Sequence, residues 1–204
     1  MKQRSRFEGW TLVGLTAVVV GIVAGLILGI VGANESGLRM LIRTTARISF
    51  VLFTAAFIAS SVNRLWPTPL TKWMLRNRRY LGVSFATSHG VHLIAIVAAA
   101  RVIADFNIDV FTLSAGGLGY VLIAAMTITS FDTTARWLGR RWWSRLHKVG
   151  VYYMWAIFAF DYVGRATVSV AFLPLAVVVL GALGLRIAAS RQRVDVTLAG
   201  ATSG

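Results

Sequence analysis

The chain has 204 residues, of which 57% are hydrophobic and 14% charged, with a mean hydropathy of +0.71. Soluble domains carry about a quarter charged residues, so this composition excludes a soluble enzyme and points to a membrane protein. There is no Cys, which excludes disulfides, thiolate metal sites and a Cys nucleophile, and the net charge of +14 has to be tested first as a topology signal.

Six uncharged runs, each near the roughly 20 residues that cross a ~30 Å hydrocarbon layer, mark candidate spans. The first covers 11–33. It follows Lys2, Arg4 and Arg6 as a signal peptide would, but it is too long and lacks a cleavage site. Gly21, Gly25 and Gly29 recur on it every fourth residue, spacing that lets helices approach closely. Arg39, Arg43 and Arg47 then form an i, i+4, i+8 stripe near the outer end of the second helix, whose uncharged run covers 48–63. Pro67 and Pro69 break the chain, and 69–79 reads as a short interfacial helix with Leu70, Trp73 and Met74 turned to lipid.

The third span, 80–100, repeats small residues at Gly82, Ala86 and Gly90, a face that could make room for a flat cofactor. A short connection, 105–114, leads to the fourth span, 110–131. The fifth, 149–160, is the shortest and is extended by Tyr162 to Gly164 past Asp161. Asp161 stands four residues before Arg165, the spacing of a helical ion pair. The sixth span covers 166–185, and the polar tail 190–204 reads as disordered.

Sixteen of the twenty-one Lys and Arg residues fall at the N-terminus, in 63–79, in 132–148 and in the tail. The positive-inside rule puts these segments, and hence both termini, in the cytoplasm. Trp66, Trp73, Trp137, Trp142 and Trp143 lie in the same two loops, as an inner aromatic belt requires. The expected fold is therefore an all-α integral membrane protein, a six-transmembrane-helix bundle in a single domain, 1–204. Lipid contact accounts for the basic charge, and no nucleic-acid partner is expected.

Chemistry rests on three histidines. His89 and His92 lie three apart on the third span, nearly on one face, and His147 opens the fifth. Ionisable groups inside a bilayer are costly and suggest function. Each imidazole has a structural alternative, a hydrogen bond to a neighbouring hydroxyl or carbonyl.

The segments RNRRYLGVSFATSHGVH (76–92) and TSFDTTARWLGRRWWSRLHKVGVYY (129–153) resemble the ferric-reductase-like transmembrane family. The likeness is greatest to the haem-binding membrane subunits that serve the periplasmic methionine sulfoxide reductase. It covers about 40–165 and includes RTTAR (43–47). It implies a multi-pass protein of the bacterial inner membrane that holds b-type haem between the third and fifth spans, with quinol or a cytoplasmic flavoprotein as donor and a periplasmic acceptor or membrane partner. His92 matches the family's third-span haem ligand and His147 the histidine that opens its fifth span.

The family's further fifth-span histidine is replaced here by Phe160, beside Asp161. At about 1.5 Å rise per residue, His92 lies ~20 Å past Arg79 and His147 only ~3 Å past Arg145, so one iron cannot take both. A haem on one histidine with Met154 opposite, a five-coordinate haem and no haem remain open. Arg43 and Arg47 are candidate partners for the propionates of an outer haem, against snorkelling to lipid phosphate. A bound quinone is a further candidate. The chain has no room for a flavin or nucleotide domain, so it would be the electron-transfer subunit of an oxidoreductase. The competing reading is a haem-free scaffold or assembly subunit of a larger membrane complex.

Overall fold

The computed structural model describes residues 7–202, with side chains described through Gln192. All regular structure among these residues is helical: α1 Trp10–Val31, α2 Glu35–Leu65, α3 Pro69–Arg76, α4 Arg78–Val102, α5 Val110–Ile128, α6 Asp132–Val168 and α7 Leu173–Thr202, with a 3₁₀ turn at Val170–Phe172 before α7. Five stretches are long and apolar enough to cross a membrane: α1, α2, α4, α5 and Val170–Gln192. Lys2, Arg4 and Arg6 fall outside the described residues. So do the side chains of most of the tail expected to be disordered, where the α7 backbone is helical to Thr202.

Local chemistry sets the helix ends. Gly32 ends α1 at φ 95°, a left-handed conformation that a residue without Cβ adopts freely. Asn34 then caps α2, its side-chain oxygen accepting the Gly37 N–H at 3.1 Å. Thr68 and Thr71 form a capping box at α3, with Pro69 at its first position. Asp109 caps α5 by accepting the Thr112 N–H at 2.9 Å.

The arginine stripe lies on the second helix as its spacing suggests, and one boundary differs from the sequence reading. The helix that contains the second span begins at Glu35, so Arg39, Arg43 and Arg47 ride on it, and Arg39 pairs with Glu35 at 2.7 Å. The basic stretch 132–148, read as a loop, is the opening of α6, broken only at Gly139 with φ 75°. Its Arg and Trp side chains are exposed at 136, 137 and 140–143, which suits an interfacial helix and gives no apolar run for a sequence reading to detect.

Packing surrounds an aromatic core. Phe50, Phe53, Phe57, Phe85, Phe158 and Tyr162 join Ile123, Met154 and Val179 in one buried cluster from α2, α4, α5, α6 and α7. α1 and α2 both pack on α4, while α6 lies between α5 and α7. The glycine stripe of α1 does not meet a neighbour: a Cβ at Gly21, Gly25 or Gly29 would touch nothing within 4 Å. α1 docks instead through Val20 and Ile27, and its glycines face outward.

Candidate functional site

The basic segments converge at one end of the bundle. Trp73 Nε1 donates to the Phe7 carbonyl, Arg79 pairs with Asp132 at 2.7 Å, and Arg64 donates to the Ala189 carbonyl at 3.0 Å. At this end a cavity of about 620 Å³ opens between α2, α4, α5, α6 and α7, within the roughly 300–1,000 Å³ usual for small-molecule and cofactor sites. Its walls are apolar and aromatic at Phe53, Phe57, Phe85, Ile123 and Tyr152, and its basic edge carries Arg78, Arg79, Lys148 and Arg186. Gly82 and Ala86 of the small α4 face line it. Gly90 lies beyond it.

His147 is the histidine on this wall. Trp143, one turn earlier, stacks on its ring with centroids 4.3 Å apart. Its Nε2 lies 3.1 Å from Thr129 Oγ1, which also stands 2.7 Å from the Ala125 carbonyl. The Thr129 hydroxyl donates to the Ala125 carbonyl, so its oxygen accepts from Nε2–H in one ring tautomer, while in the other its proton is shared between the carbonyl and Nε2; the hydroxyl holds the ring in both.

His89 and His92 sit elsewhere. His89 is ringed by Phe85, His92, Tyr120 and Phe158 at centroid distances of 5.2, 5.0, 5.0 and 6.2 Å, and its buried Nδ1 has no hydrogen-bond partner among the described residues. His92 Nδ1 donates to the Ile42 carbonyl at 3.0 Å and lies 3.2 Å from Thr45 Oγ1. A carbonyl only accepts, so the proton sits on Nδ1 and Nε2 carries the lone pair, the tautomer common in ligating histidines whose other nitrogen donates to a carbonyl. Buried Ser49 and Ser88 continue this polar seam between α2 and α4 at 2.9 Å.

The two imidazole sites stand at different levels. Across α5 and α6, Thr129 meets His147, Met126 meets Gly150, and Gly119 meets Met154. His89 lies against Phe158, eleven residues beyond His147 and so about 16 Å further along α6. His147 cannot share an iron with His89 or His92. Met154 does not line the cavity either: it is 2% exposed within the aromatic core. Arg43 and Arg47 are exposed on α2, away from the cavity. Asp161 pairs with Arg165 at 2.8 Å, the helical ion pair its spacing predicts. Among the described residues, no group of three or more His, Asp or Glu side chains converges as a metal site.

Arg186 is the cavity residue that sequence reasoning missed, having counted it only as tail charge. Its guanidinium donates to the Phe57 carbonyl at 2.7 Å and to Tyr152 Oη at 3.3 Å, and lies over both rings at 4.4 and 5.0 Å.

Comparison with known proteins gives no match: no family model, curated protein or solved structure aligns with the chain.

Proposed function

We propose that this chain is a membrane electron-transfer subunit that seats one b-type haem in the cavity beside His147. The observation that carries the reading is an imidazole, fixed by Trp143 and Thr129, on the wall of a 620 Å³ cavity with aromatic walls and a basic edge. Bound there, haem supplies a one-electron iron couple whose potential depends on axial ligand, burial and nearby charge. His147 would hold the iron through Nε2. Phe53, Phe57, Phe85 and Ile123 exclude water, and Gly82 and Ala86 leave the α4 wall flat.

The reading takes α6 as a sixth span. Support comes from α5, which is apolar enough to cross: α6 follows it antiparallel, from Thr129–His147 to the Tyr153 hydroxyl on the Ala115 carbonyl at 2.9 Å. Six spans put both termini on the side that collects the basic residues, the cytoplasm by the positive-inside rule. The cavity then faces the inner leaflet of a bacterial inner membrane, where quinol or a cytoplasmic flavoprotein donates. The electron leaves to a periplasmic or membrane-bound partner.

One observation favours the haem-free scaffold instead: His89 and His92 are held by rings, a carbonyl and a hydroxyl, as purely structural histidines are. The pyridine haemochrome assay on protein purified from haem-replete cells separates the two. About one b-type haem per chain upholds electron transfer; protein that stays colourless, even after addition of haemin, leaves the scaffold.

A further inference from the structure

We infer that Arg186 and Arg78 form an anion-binding end of the cavity, which takes the acidic arms of an amphipathic ring ligand whose flat body lies against Phe57, Phe85 and Tyr152. The identity of the ring rests on the haem reading, with propionates as the arms; the anion site itself does not.

Three independent features place an anion here. First, the cations outnumber their partners. Asp132 is the one carboxylate among the cavity's lining residues, and Arg79 takes it at 2.7 Å; Arg76 is paired with Glu8 at 3.0 Å. Arg78, Lys148 and Arg186 line the same space, and none has a carboxylate within 4.0 Å among the described residues. Arg78 also feels the charge of Arg186. Like charges gathered in a half-buried cleft repel one another, and an anion between them removes that cost.

Second, Arg186 is oriented before any ligand arrives. The Phe57 carbonyl and Tyr152 hydroxyl engage two of its nitrogens, and two ring faces hold its plane. A guanidinium has five N–H donors in a fixed fork, so this arrangement leaves donors over for a carboxylate or phosphate oxygen.

Third, α4 begins at this edge with its positive end uncapped by a side chain. Asn77, the residue in the capping position, instead gives its side-chain oxygen to the Gly9 N–H at 2.9 Å. The first-turn N–H groups of a helix of 25 residues therefore add their partial positive charge beside Arg78 and Arg79.

The test titrates detergent-purified full-length protein with haemin and with haemin dimethyl ester, in which both propionates are esterified and uncharged. The free acid is expected to bind about tenfold tighter or more, as charge-assisted hydrogen bonds to arginine require. R78Q and R186Q, each checked for helicity and thermal unfolding, are expected to shrink that ratio, and R186K to retain part of it. R78Q changes an exposed side chain and keeps the test sound should R186Q fold poorly. Equal affinity for the two porphyrins, or an unchanged ratio in folded R78Q and R186Q, overturns the anion end while leaving haem binding in place.

If neither porphyrin binds, the haem reading falls alone, and native mass spectrometry then decides the anion site. Retention of phosphatidylglycerol over phosphatidylcholine identifies a lipid phosphate, and retention of pyrophosphate a free one; either preference, lost in R78Q, upholds the site. Absence of both preferences overturns it.

Discussion

The rings of His89 and His92 stack with centroids 5.0 Å apart and planes 27° apart, three residues from each other on α4. The His92 Nδ1 bond to the Ile42 carbonyl ties α4 to α2 where buried Thr45, Ser49 and Ser88 continue the seam. Polar side chains of this kind hold membrane helices together.

His92→Ala should therefore act on stability. Losing this imidazole removes its hydrogen bond to the Ile42 carbonyl, at a cost of about 0.5–1.5 kcal/mol, while Thr45 Oγ1 keeps the Leu41 carbonyl at 2.7 Å. Thermal unfolding in detergent should shift down while haem content per folded chain stays unchanged. Haem loss without destabilisation would return the axial role to His92.

Glycines separate into those that matter and those that do not. A Cβ on Gly37 would collide with the Gly32 carbonyl oxygen in the tight turn between α1 and α2, whereas one on Gly25 meets nothing within 4 Å. Gly37→Ala should lower the yield of folded protein sharply, and Gly25→Ala should leave yield and melting temperature at the wild-type level, both read by fluorescence-detected gel filtration. Sensitivity at Gly25 would instead reveal a partner seated on the exposed face of α1.

Phe57→Ala tests the core and the cavity together. Phe57 is 1% exposed, packs against Phe53 and Tyr152, and lies under Arg186 at 4.4 Å. Truncating a buried Phe costs about 3–5 kcal/mol, and here Arg186 also loses one of its two ring faces. Unfolding by increasing mole fraction of SDS should reveal this cost, and Phe160→Ala, at a side chain 69% exposed, should show almost none.

Much of this architecture was legible in the sequence because lipid demands long uncharged runs, and those runs located α1, α4, α5 and the apolar parts of α2 and α7. Pro67 and Pro69 announced α3, and Asp161 four before Arg165 announced an ion pair. Spacing alone did not say which way a face points. Gly21, Gly25 and Gly29 share a side of α1, yet nothing in their period tells whether that side meets protein or lipid. The amphipathic opening of α6 was missed because its Arg and Trp residues make no apolar run. Arg186 was missed because its partners, the Phe57 carbonyl and the Tyr152 hydroxyl, are distant in sequence and meet it only when α7 packs beside α2 and α6.

The cavity wall also bears on coordination. His147 is its one imidazole; Met126 lines it too, with its sulfur set against Gly150, where a Cβ would come within 2.6 Å. Without a second strong ligand facing His147, the account predicts a five-coordinate, high-spin ferric haem. Azide or imidazole should bind and move the Soret band. A low-spin spectrum indifferent to both would mean a second protein ligand that this geometry does not supply.

The most direct test of the central claim compares dithionite-reduced minus oxidised spectra of wild-type, His147→Ala and His92→Ala proteins at equal folded concentration. The account predicts a b-type α-band in wild type, its loss in His147→Ala and its persistence in His92→Ala. A band that survives in His147→Ala and vanishes in His92→Ala would contradict it.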